Sequence, residues 1–456
     1  MKWVFLAFLA VYTPLLTGWL RANHKHAPKA WALLGFLPFV LGPWGLYVAP
    51  VSWAHWPGFV KGAEVSLLDA VALAVLVSMP HRTQLPLKLP FILYIAAILL
   101  SAVFAEIPTV SLFYAWQLLR VFLLYAAVAA VCQDDRGPVA VVTGSVLGLA
   151  FQAVLAVSDY FAGDLQAGGG FGHQNLLGMI SYLVTFPALA LLLAGHRGWI
   201  PQIGVVAGVA VAIVTASRAT IGLVGAGLVA LFALSVMRRP TSRKAGMGLA
   251  GALALALAAP LAINSLERRF AEAPLPTEYD ERAAFEEASR LIIADHPFGI
   301  GANHYVLVVN VGGYSDRAGV IPAPGSRRAH VHNVYLLAAA ETGYLGLLAL
   351  VALLAAPILV AFRAASRNRK DARGELLLGL GFSLAVMAVH SLYEWVFVTF
   401  QTQYMFAILS GLIVGIARQL GFWSKRSGAK AGRRRDARPA SAQAVATRTI
   451  PATEAD

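Results

Sequence analysis

Long apolar runs dominate this chain, and short polar segments separate them. An apolar run of roughly 20 residues is long enough to cross a lipid bilayer as an α-helix. Such runs lie near residues 3–20, 31–50, 64–80, 89–105, 110–132, 138–158, 174–194, 200–217, 219–237, 246–265, 333–362, 375–393 and 396–418. They predict an all-α polytopic membrane protein with about 12 or 13 transmembrane helices.

One long polar segment, residues 266–332, interrupts this pattern and contains seven arginines but no lysine. Within it, apolar residues at helical spacing predict a helix from Asp280 to Asp295. His296-Pro297 ends this helix, and the glycines of Phe298-Gly299-Ile300-Gly301 turn the chain. A loop of this length with only part of it ordered is usually functional.

Basic residues cluster in alternate loops, for example in 238–244 and 363–373, whereas the segments 51–63, 106–109 and 159–173 carry only one, Lys61. Because cytoplasmic loops are enriched in lysine and arginine, this alternation places the C-terminus in the cytoplasm and residues 266–332 outside. The same count leaves open on which side the N-terminus lies. The first run is predicted to be an uncleaved span rather than a signal peptide, since no small-x-small site follows it.

Composition agrees with a membrane protein: 58% of the residues are hydrophobic, 13% are charged, and the mean hydropathy is +0.68. The net charge of +13 could suggest a nucleic-acid partner, but the positive residues lie in short loops and in the tail. We therefore expect contact with anionic membrane lipid and no nucleic acid. A single cysteine, Cys132, excludes an intramolecular disulfide.

Four regions follow from these patterns. They are an N-terminal transmembrane bundle (1–265), an external catalytic loop (266–332), C-terminal transmembrane helices (333–420) and a disordered basic cytoplasmic tail (421–456).

Two arginines are candidates for binding an anionic substrate. Arg218 lies where one span turns into the next on the external side, and Arg290 lies on the predicted loop helix. A guanidinium group binds two phosphate oxygens at once, so Arg218 and Arg290 together could hold a diphosphate. The structural alternatives are that Arg218 reaches to lipid headgroups and that Arg290 pairs with Glu286.

His332 begins the membrane helix that follows the loop, and histidine is the commonest general base. Tyr335 lies one turn further on the same face. A histidine that caps the helix would look similar in sequence, and His330 is a competing base.

Further candidates for substrate binding are His173, Gln174 and Asn175, which follow a glycine-rich stretch on the same external face. A flexible turn with an amide cap explains these three residues equally well. Arg120 is a candidate because it lies in the middle of a span, although it could pair with a polar group of another helix. Tyr393 lies at the external end of a late span, where it could instead belong to an aromatic belt.

The sequence has no Asp-x-Asp pair, no His/Cys cluster and no phosphate-binding glycine loop of the Walker type. It therefore predicts no metal ion and no nucleotide cofactor. The acids of the loop alternate with arginines and are expected to form solvated ion pairs.

Together these features resemble the O-antigen ligase and O-antigen polymerase superfamily of bacterial envelope proteins, in the branch of lipid A-core ligases. The resemblance covers roughly residues 110–415. It rests on Gly170-Phe171-Gly172-His173-Gln174-Asn175, Ser217-Arg218, Arg290 with His296-Pro297-Phe298-Gly299-Ile300-Gly301, and His332-Asn333 with Glu341-Thr342-Gly343. It implies a GT-C-like architecture in the inner membrane, with a large periplasmic loop closing over a glycan linked to undecaprenyl diphosphate.

The resemblance also implies roles for individual residues: Arg218 and Arg290 hold the diphosphate, and His332 acts as the base. A metal-independent, inverting transfer of O-antigen to lipid A-core oligosaccharide is the activity that we expect. Polymerisation on a second lipid-linked glycan and glycosylation of a protein remain alternatives within the superfamily. A multi-span transporter is the alternative of another class, although no internal repeat supports it.

Overall fold

A computed structural model describes residues 2–80, 83–272 and 280–423 of the chain. Almost all of the predicted cytoplasmic tail (421–456) lies outside the described residues. Seventeen α-helices, four short 3₁₀ helices and one two-stranded sheet make up the regular structure of the described part. The helices are α1 (Lys2–Ala22), α2 (Ala27–Phe36), α3 (Leu67–Ser78), α4 (Lys88–Ser101), α5 (Pro108–Val131), α6 (Gly137–Phe161), α7 (Gln174–Ala194), α8 (Trp199–Val214), α9 (Arg218–Arg238), α10 (Ser242–Glu272), α11 (Glu281–Asp295), α12 (Tyr305–Val311), α13 (Tyr314–Arg317), α14 (Pro324–Arg327), α15 (Val334–Arg367), α16 (Ala372–His390) and α17 (Phe400–Gln419).

The prediction of an all-α polytopic membrane protein is confirmed. In the described residues, nine helices are long and apolar enough to cross a membrane, and three shorter apolar helices accompany them. The nine helices are fewer than the 12 or 13 spans predicted from the sequence. The most buried helices are α7 and α17, which form the centre of the bundle.

One predicted span, residues 31–50, is wrong. Helix α2 ends at Phe36, and a 3₁₀ turn at Leu37–Phe39 follows it. The chain then enters strand β1 (Tyr47–Ser52), which pairs antiparallel with β2 (Gly62–Ser66). Prolines 38 and 43 explain the break, because proline lacks the N–H that a continuing helix would use. The prediction missed this break in the helix because it rested on the number of apolar residues alone.

The loop helix is confirmed as α11. Asp280 caps its N-terminus by accepting hydrogen bonds from the backbone N–H groups of Arg282 and Ala283. The helix ends at Asp295, directly before His296, as the sequence predicts. Helix α10 continues to Glu272, so the segment predicted as a loop begins in helical form.

The turn after α11 packs against a kink in α15. Gly343 has a φ of +67° in the middle of this helix, and Gly299 in the turn has a φ of +86°. The N–H of Gly301 donates to the carbonyl of Glu341 at 2.9 Å, and the N–H of Tyr344 donates to the carbonyl of Pro297 at 3.3 Å. A Cβ atom on Gly343 would lie 2.6 Å from that Pro297 oxygen, so only glycine fits this contact.

The segment beyond this turn is fixed to the rest of the bundle through Asn303. Its side-chain amide donates to the carbonyl of Val60 at 2.7 Å and accepts from the N–H of the same residue at 3.0 Å. The buried carboxylate of Glu341 accepts from the N–H of Tyr305 at 3.0 Å. These contacts hold residues 280–332 over one end of the bundle, which we call the loop end.

Candidate functional site

Three separate parts of the chain meet at Glu394, which lies between α16 and α17 at the loop end. Glu394 is buried, with only 2% of its surface exposed to solvent. The Asn175 side-chain amide donates to Glu394 Oε1 at 2.6 Å, and Arg282 Nη2 lies 3.3 Å from the same oxygen. His332 Nδ1 lies 3.3 Å from Oε2. A buried carboxylate is stable only when it is paired and hydrogen-bonded, and these three partners meet that need.

His332 is held in a single orientation. Asn333 caps α15 by accepting from the N–H groups of Tyr335 and Leu336, so His332 is not the helix cap. Its ring stacks on Phe285 with an interplanar angle of 19°. When Nδ1 donates to Glu394, Nε2 of the neutral ring is an acceptor. The side chain is 24% exposed, which leaves the ring accessible to a substrate.

Arg282, which contacts this carboxylate, belongs to a group of arginines from three helices. The Arg218 guanidinium lies 5.2 Å from the centre of the Phe270 ring, and that of Arg269 lies 5.9 Å from it. The positive charges of Arg218 and Arg282 both act on Arg269. Within the described residues, no carboxylate pairs with Arg218. Such a group of arginines attracts a multiply charged anion.

The structure does not bring Arg290 to His332. The Arg290 guanidinium is on the exposed side of α11, where it pairs with Glu286 at 2.7 Å and with Glu287 at 3.5 Å. Pairing with Glu286 was the structural alternative to diphosphate binding that the sequence left open for Arg290. Arg282, two turns earlier on the same helix, is the residue that reaches Glu394.

His330 lies behind His332 in an aromatic stack. It is 5% exposed, and its ring lies 4.6 Å from that of Trp395 with an interplanar angle of 23°. Burial, and secondly the charge of His332, lowers the pKa of His330 to about 3. Its buried Nε2 has no partner among the described residues. His330 therefore stays neutral, and its buried position makes it a poorer base than His332.

The glycine-rich stretch before α7 brings His173 and Asn175 to the same place. His173 caps α7 by accepting from the N–H of Leu176 at 3.3 Å, and its ring meets Trp395 edge-on. Burial is the main cause that lowers the pKa of His173. Gln174, the first residue of α7, is half-buried. The histidine and asparagine thus shape the site through Trp395 and Glu394.

Two other predicted site residues have partners elsewhere, and a third is exposed. The Tyr335 hydroxyl donates to the carbonyl of Ala388 at 2.8 Å, and Tyr393 is 57% exposed. Arg120 is 4% exposed and forms ion pairs with Asp69 at 2.9 Å and with Glu64 at 3.3 Å. This pairing is the alternative that the sequence left open for Arg120.

Sequence reasoning did not single out Glu394, Arg282 or Arg269 as site residues. Glu394 had a detectable signal, because an acid between two apolar spans must find a partner. Arg269 had a weaker signal, its position at the end of a span. Nothing in the sequence indicated that Arg282 rather than Arg290 would face the site. No group of three or more His, Cys, Asp or Glu side chains in the described ranges is arranged to hold a metal ion.

Comparison with known families matches residues 203–351 to the family model described as "O-Antigen ligase". The match extends from α8 into α15 and includes Arg218, Arg282 and His332. No curated protein sequence matches the chain. The matched region contains the loop and the span junction on which the resemblance rested. The match supports membership of the O-antigen ligase and polymerase superfamily.

Proposed function

We propose that this protein is an O-antigen ligase of the bacterial inner membrane. It transfers O-antigen polysaccharide from undecaprenyl diphosphate to a sugar hydroxyl of lipid A-core oligosaccharide, with the loop end facing the periplasm. The observation that carries the proposal is the His332–Glu394 pair, with Arg282 on the same carboxylate. The charges of Arg282 and Arg218 both act on Arg269, so these three arginines form one group. A base and an anion-binding group stand next to each other there.

His332 acts as the general base. Nε2 takes the proton of the acceptor hydroxyl while the oxygen attacks the anomeric carbon of the donor sugar. The bond from that carbon to the diphosphate oxygen breaks, and its electron pair leaves with the diphosphate. Attack from the face opposite the leaving group inverts the anomeric carbon. Glu394 stabilises the imidazolium that forms, as the buried carboxylate of a catalytic triad does.

The arginines stabilise the leaving group. A departing diphosphate gains negative charge, and preorganised guanidinium groups at its oxygens lower the energy of that state. Arg218 and Arg269 stand free of acidic partners in the described structure. Arg282 uses Nη2 for Glu394 and keeps other N–H donors of its five for the substrate. Arg282 thus takes the second diphosphate role that the sequence suggested for Arg290.

An in-vitro transfer assay tests this proposal. The purified protein in nanodiscs would receive undecaprenyl-diphosphate-linked O-antigen together with lipid A-core, a second lipid-linked glycan or a serine-containing acceptor protein, each in a separate reaction with EDTA. We expect a glycan ladder on lipid A-core alone. A ladder only on the lipid-linked glycan would make the protein a polymerase, and a ladder only on the acceptor protein would make it an oligosaccharyltransferase. Movement of lipid-linked glycan across proteoliposomes without a new glycosidic bond would show a transporter.

A further inference from the structure

Helices α7, α9 and α16 connect the loop end to the opposite end of the bundle. They are 21, 21 and 19 residues long. At about 1.5 Å per residue they extend about 28–32 Å, which matches the thickness of the hydrocarbon core of a bilayer, about 30 Å. Their far ends therefore lie at the depth of the phospholipid headgroups in the leaflet away from the loop. The distribution of basic residues predicts that this leaflet is the cytoplasmic one.

A cavity of about 200 Å³ lies among these far ends. Three parts of the chain form its wall: the end of α7, the connection between α9 and α10, and the connection between α15 and α16. The part of the wall that α7 contributes is apolar, with Leu193 and Ala194. The charged side chains of the wall are Arg239, Arg243, Lys244, Arg369, Asp371 and Glu375.

Both acids of the cavity already have a basic partner. Asp371 pairs with Arg373 at 2.9 Å. The buried Glu375 accepts a hydrogen bond from the Ser235 hydroxyl and lies 3.4 Å from Lys244 Nζ. Within residues 2–80, 83–272 and 280–423, three guanidinium groups of the wall have no carboxylate partner, namely those of Arg239, Arg243 and Arg369.

Two of these guanidinium groups are fixed by the backbone of another part of the wall. Arg239 Nη1 donates to the carbonyl of Lys370 at 2.9 Å, and Arg243 Nη2 donates to the carbonyl of His196 at 2.8 Å. A guanidinium group has five N–H donors, so each arginine keeps further donors for a ligand. Like charges repel at this separation from any acid, and an anion that joins the three arginines would remove this repulsion.

The surroundings of the cavity add positive charge. Helix α10 begins at Ser242, and its first turn carries Arg243 and Lys244 but no acid. The N-terminus of a helix has a partial positive charge, so these basic residues add to it. Arg238, at the end of α9, donates from Nη2 to the carbonyl of Ala365 at 2.6 Å. Its buried Nε and Nη1 have no partner among the residues that the structure describes.

We propose that this cavity binds the phosphate group of an anionic phospholipid in the leaflet away from the loop. Guanidinium groups donate in pairs to phosphate oxygens, and basic pockets between transmembrane helices on the cytoplasmic side are typical sites for lipid headgroups. The depth of the cavity and its apolar wall on α7 favour a lipid over a soluble phosphate. The bound headgroup would join the three parts of the chain that form the wall.

Native mass spectrometry of the full-length protein in detergent tests this inference. The protein would be titrated with phosphatidylglycerol or with phosphatidylcholine, whose headgroup carries a compensating positive charge. We expect one phosphatidylglycerol per chain to bind about tenfold more tightly than phosphatidylcholine. Arg239→Gln and Arg243→Gln should each raise the Kd for phosphatidylglycerol about fivefold or more.

Arg363→Gln is the matched control. Arg363 lies on α15 at the same end of the bundle and is exposed, but it does not line the cavity. Its substitution removes the same charge from the same face, so the Kd for phosphatidylglycerol should stay within about twofold of the wild type. Arg239 and Arg243 are also exposed, so their substitution removes no core packing, and circular dichroism would verify that all variants are folded.

Thermal unfolding in nanodiscs distinguishes a lipid from a soluble phosphate. A ligand that binds only the folded state raises the melting temperature. Phosphatidylglycerol added to phosphatidylcholine nanodiscs should therefore stabilise the wild type more than Arg239→Gln or Arg243→Gln. Millimolar inorganic phosphate in nanodiscs of phosphatidylcholine alone should give a smaller increase than phosphatidylglycerol does.

Three results would overturn the inference: equal affinity for the two lipids, an unchanged Kd in both arginine variants, or equal stabilisation by inorganic phosphate and by phosphatidylglycerol. The last result would assign the cavity to a soluble phosphate. Neither measurement requires glycan transfer, so the outcome is independent of the proposed function.

Discussion

Replacing Glu394 by glutamine removes one negative charge from the centre of the site and keeps its shape. The amide oxygen of glutamine can still accept from Asn175, so the contact between α7 and this segment persists. Arg282 loses its ionic partner, but its side chain is 56% exposed and water solvates it. We therefore expect Glu394→Gln to fold normally.

The loss of activity can be worked from the His332–Glu394 contact. Two unit charges at the observed 3.3 Å attract by about 5 kcal/mol at an effective dielectric constant of about 20. Desolvation offsets much of this, and measured hydrogen bonds to charged groups contribute about 1.5–3 kcal/mol. The imidazolium forms only as the acceptor loses its proton, so this energy is lost from the transition state. The kcat should fall about 10- to 150-fold.

The assay is steady-state glycan transfer to lipid A-core with varied donor concentration. Glu286→Gln is the control, since it removes a carboxylate from the exposed side of α11 and should leave kcat unchanged. Thermal unfolding of both variants should match that of the wild type within a few degrees. A kcat of Glu394→Gln within threefold of wild type would refute the proposed orientation of His332.

Three further predictions concern the loop and its arginines. Arg282→Lys should lower kcat/KM at least tenfold, because lysine lacks the planar fork, whereas Arg290→Lys should have little effect; equal losses in transfer assays would contradict this assignment. His330 has a pKa of about 3 when folded and an ordinary value of 6.5, so the unfolded state binds more protons between these values. Stability should be complete above pH 6.5 and fall by about 1.4 kcal/mol per unit as the pH drops; His330→Phe should flatten this part of a melting-temperature profile, and an unchanged slope would count against it. Gly343→Ala should destabilise by more than about 2 kcal/mol, whereas Gly325→Ala, where a Cβ meets nothing within 4 Å, should be neutral by thermal unfolding.

Hydropathy and helix signals were sufficient for most of the architecture. The apolar runs predict helices, because a chain inside a bilayer must form its backbone hydrogen bonds within the chain itself. Asp280 and His296-Pro297 mark both ends of α11 because caps and proline act locally. The β1–β2 hairpin was missed, since its aromatic and branched residues adjoin apolar stretches that a hydropathy count assigns to helices.

The assembly of the site could be predicted only in part. His332 could be predicted as a site residue because the polar loop meets an apolar helix there. Asn175 could be predicted because it lies at the start of a span on the same face. Their meeting at Glu394 depends on the packing of α7, α11, α15 and α16, which no local pattern encodes. The choice of Arg282 over Arg290 depends on how α11 is rotated against Phe285 and His332.

Glycan transfer by His332→Gln tests the central claim most directly. The variant keeps a polar side chain of similar size but cannot take a proton, and general bases contribute about 10²- to 10⁴-fold to such reactions. Binding of the polyprenyl diphosphate donor would be measured on the same preparation. We predict that the donor binds with wild-type affinity while transfer to lipid A-core falls at least 100-fold. Transfer within a few-fold of wild type would show that the proton goes elsewhere and that this site is not built around His332.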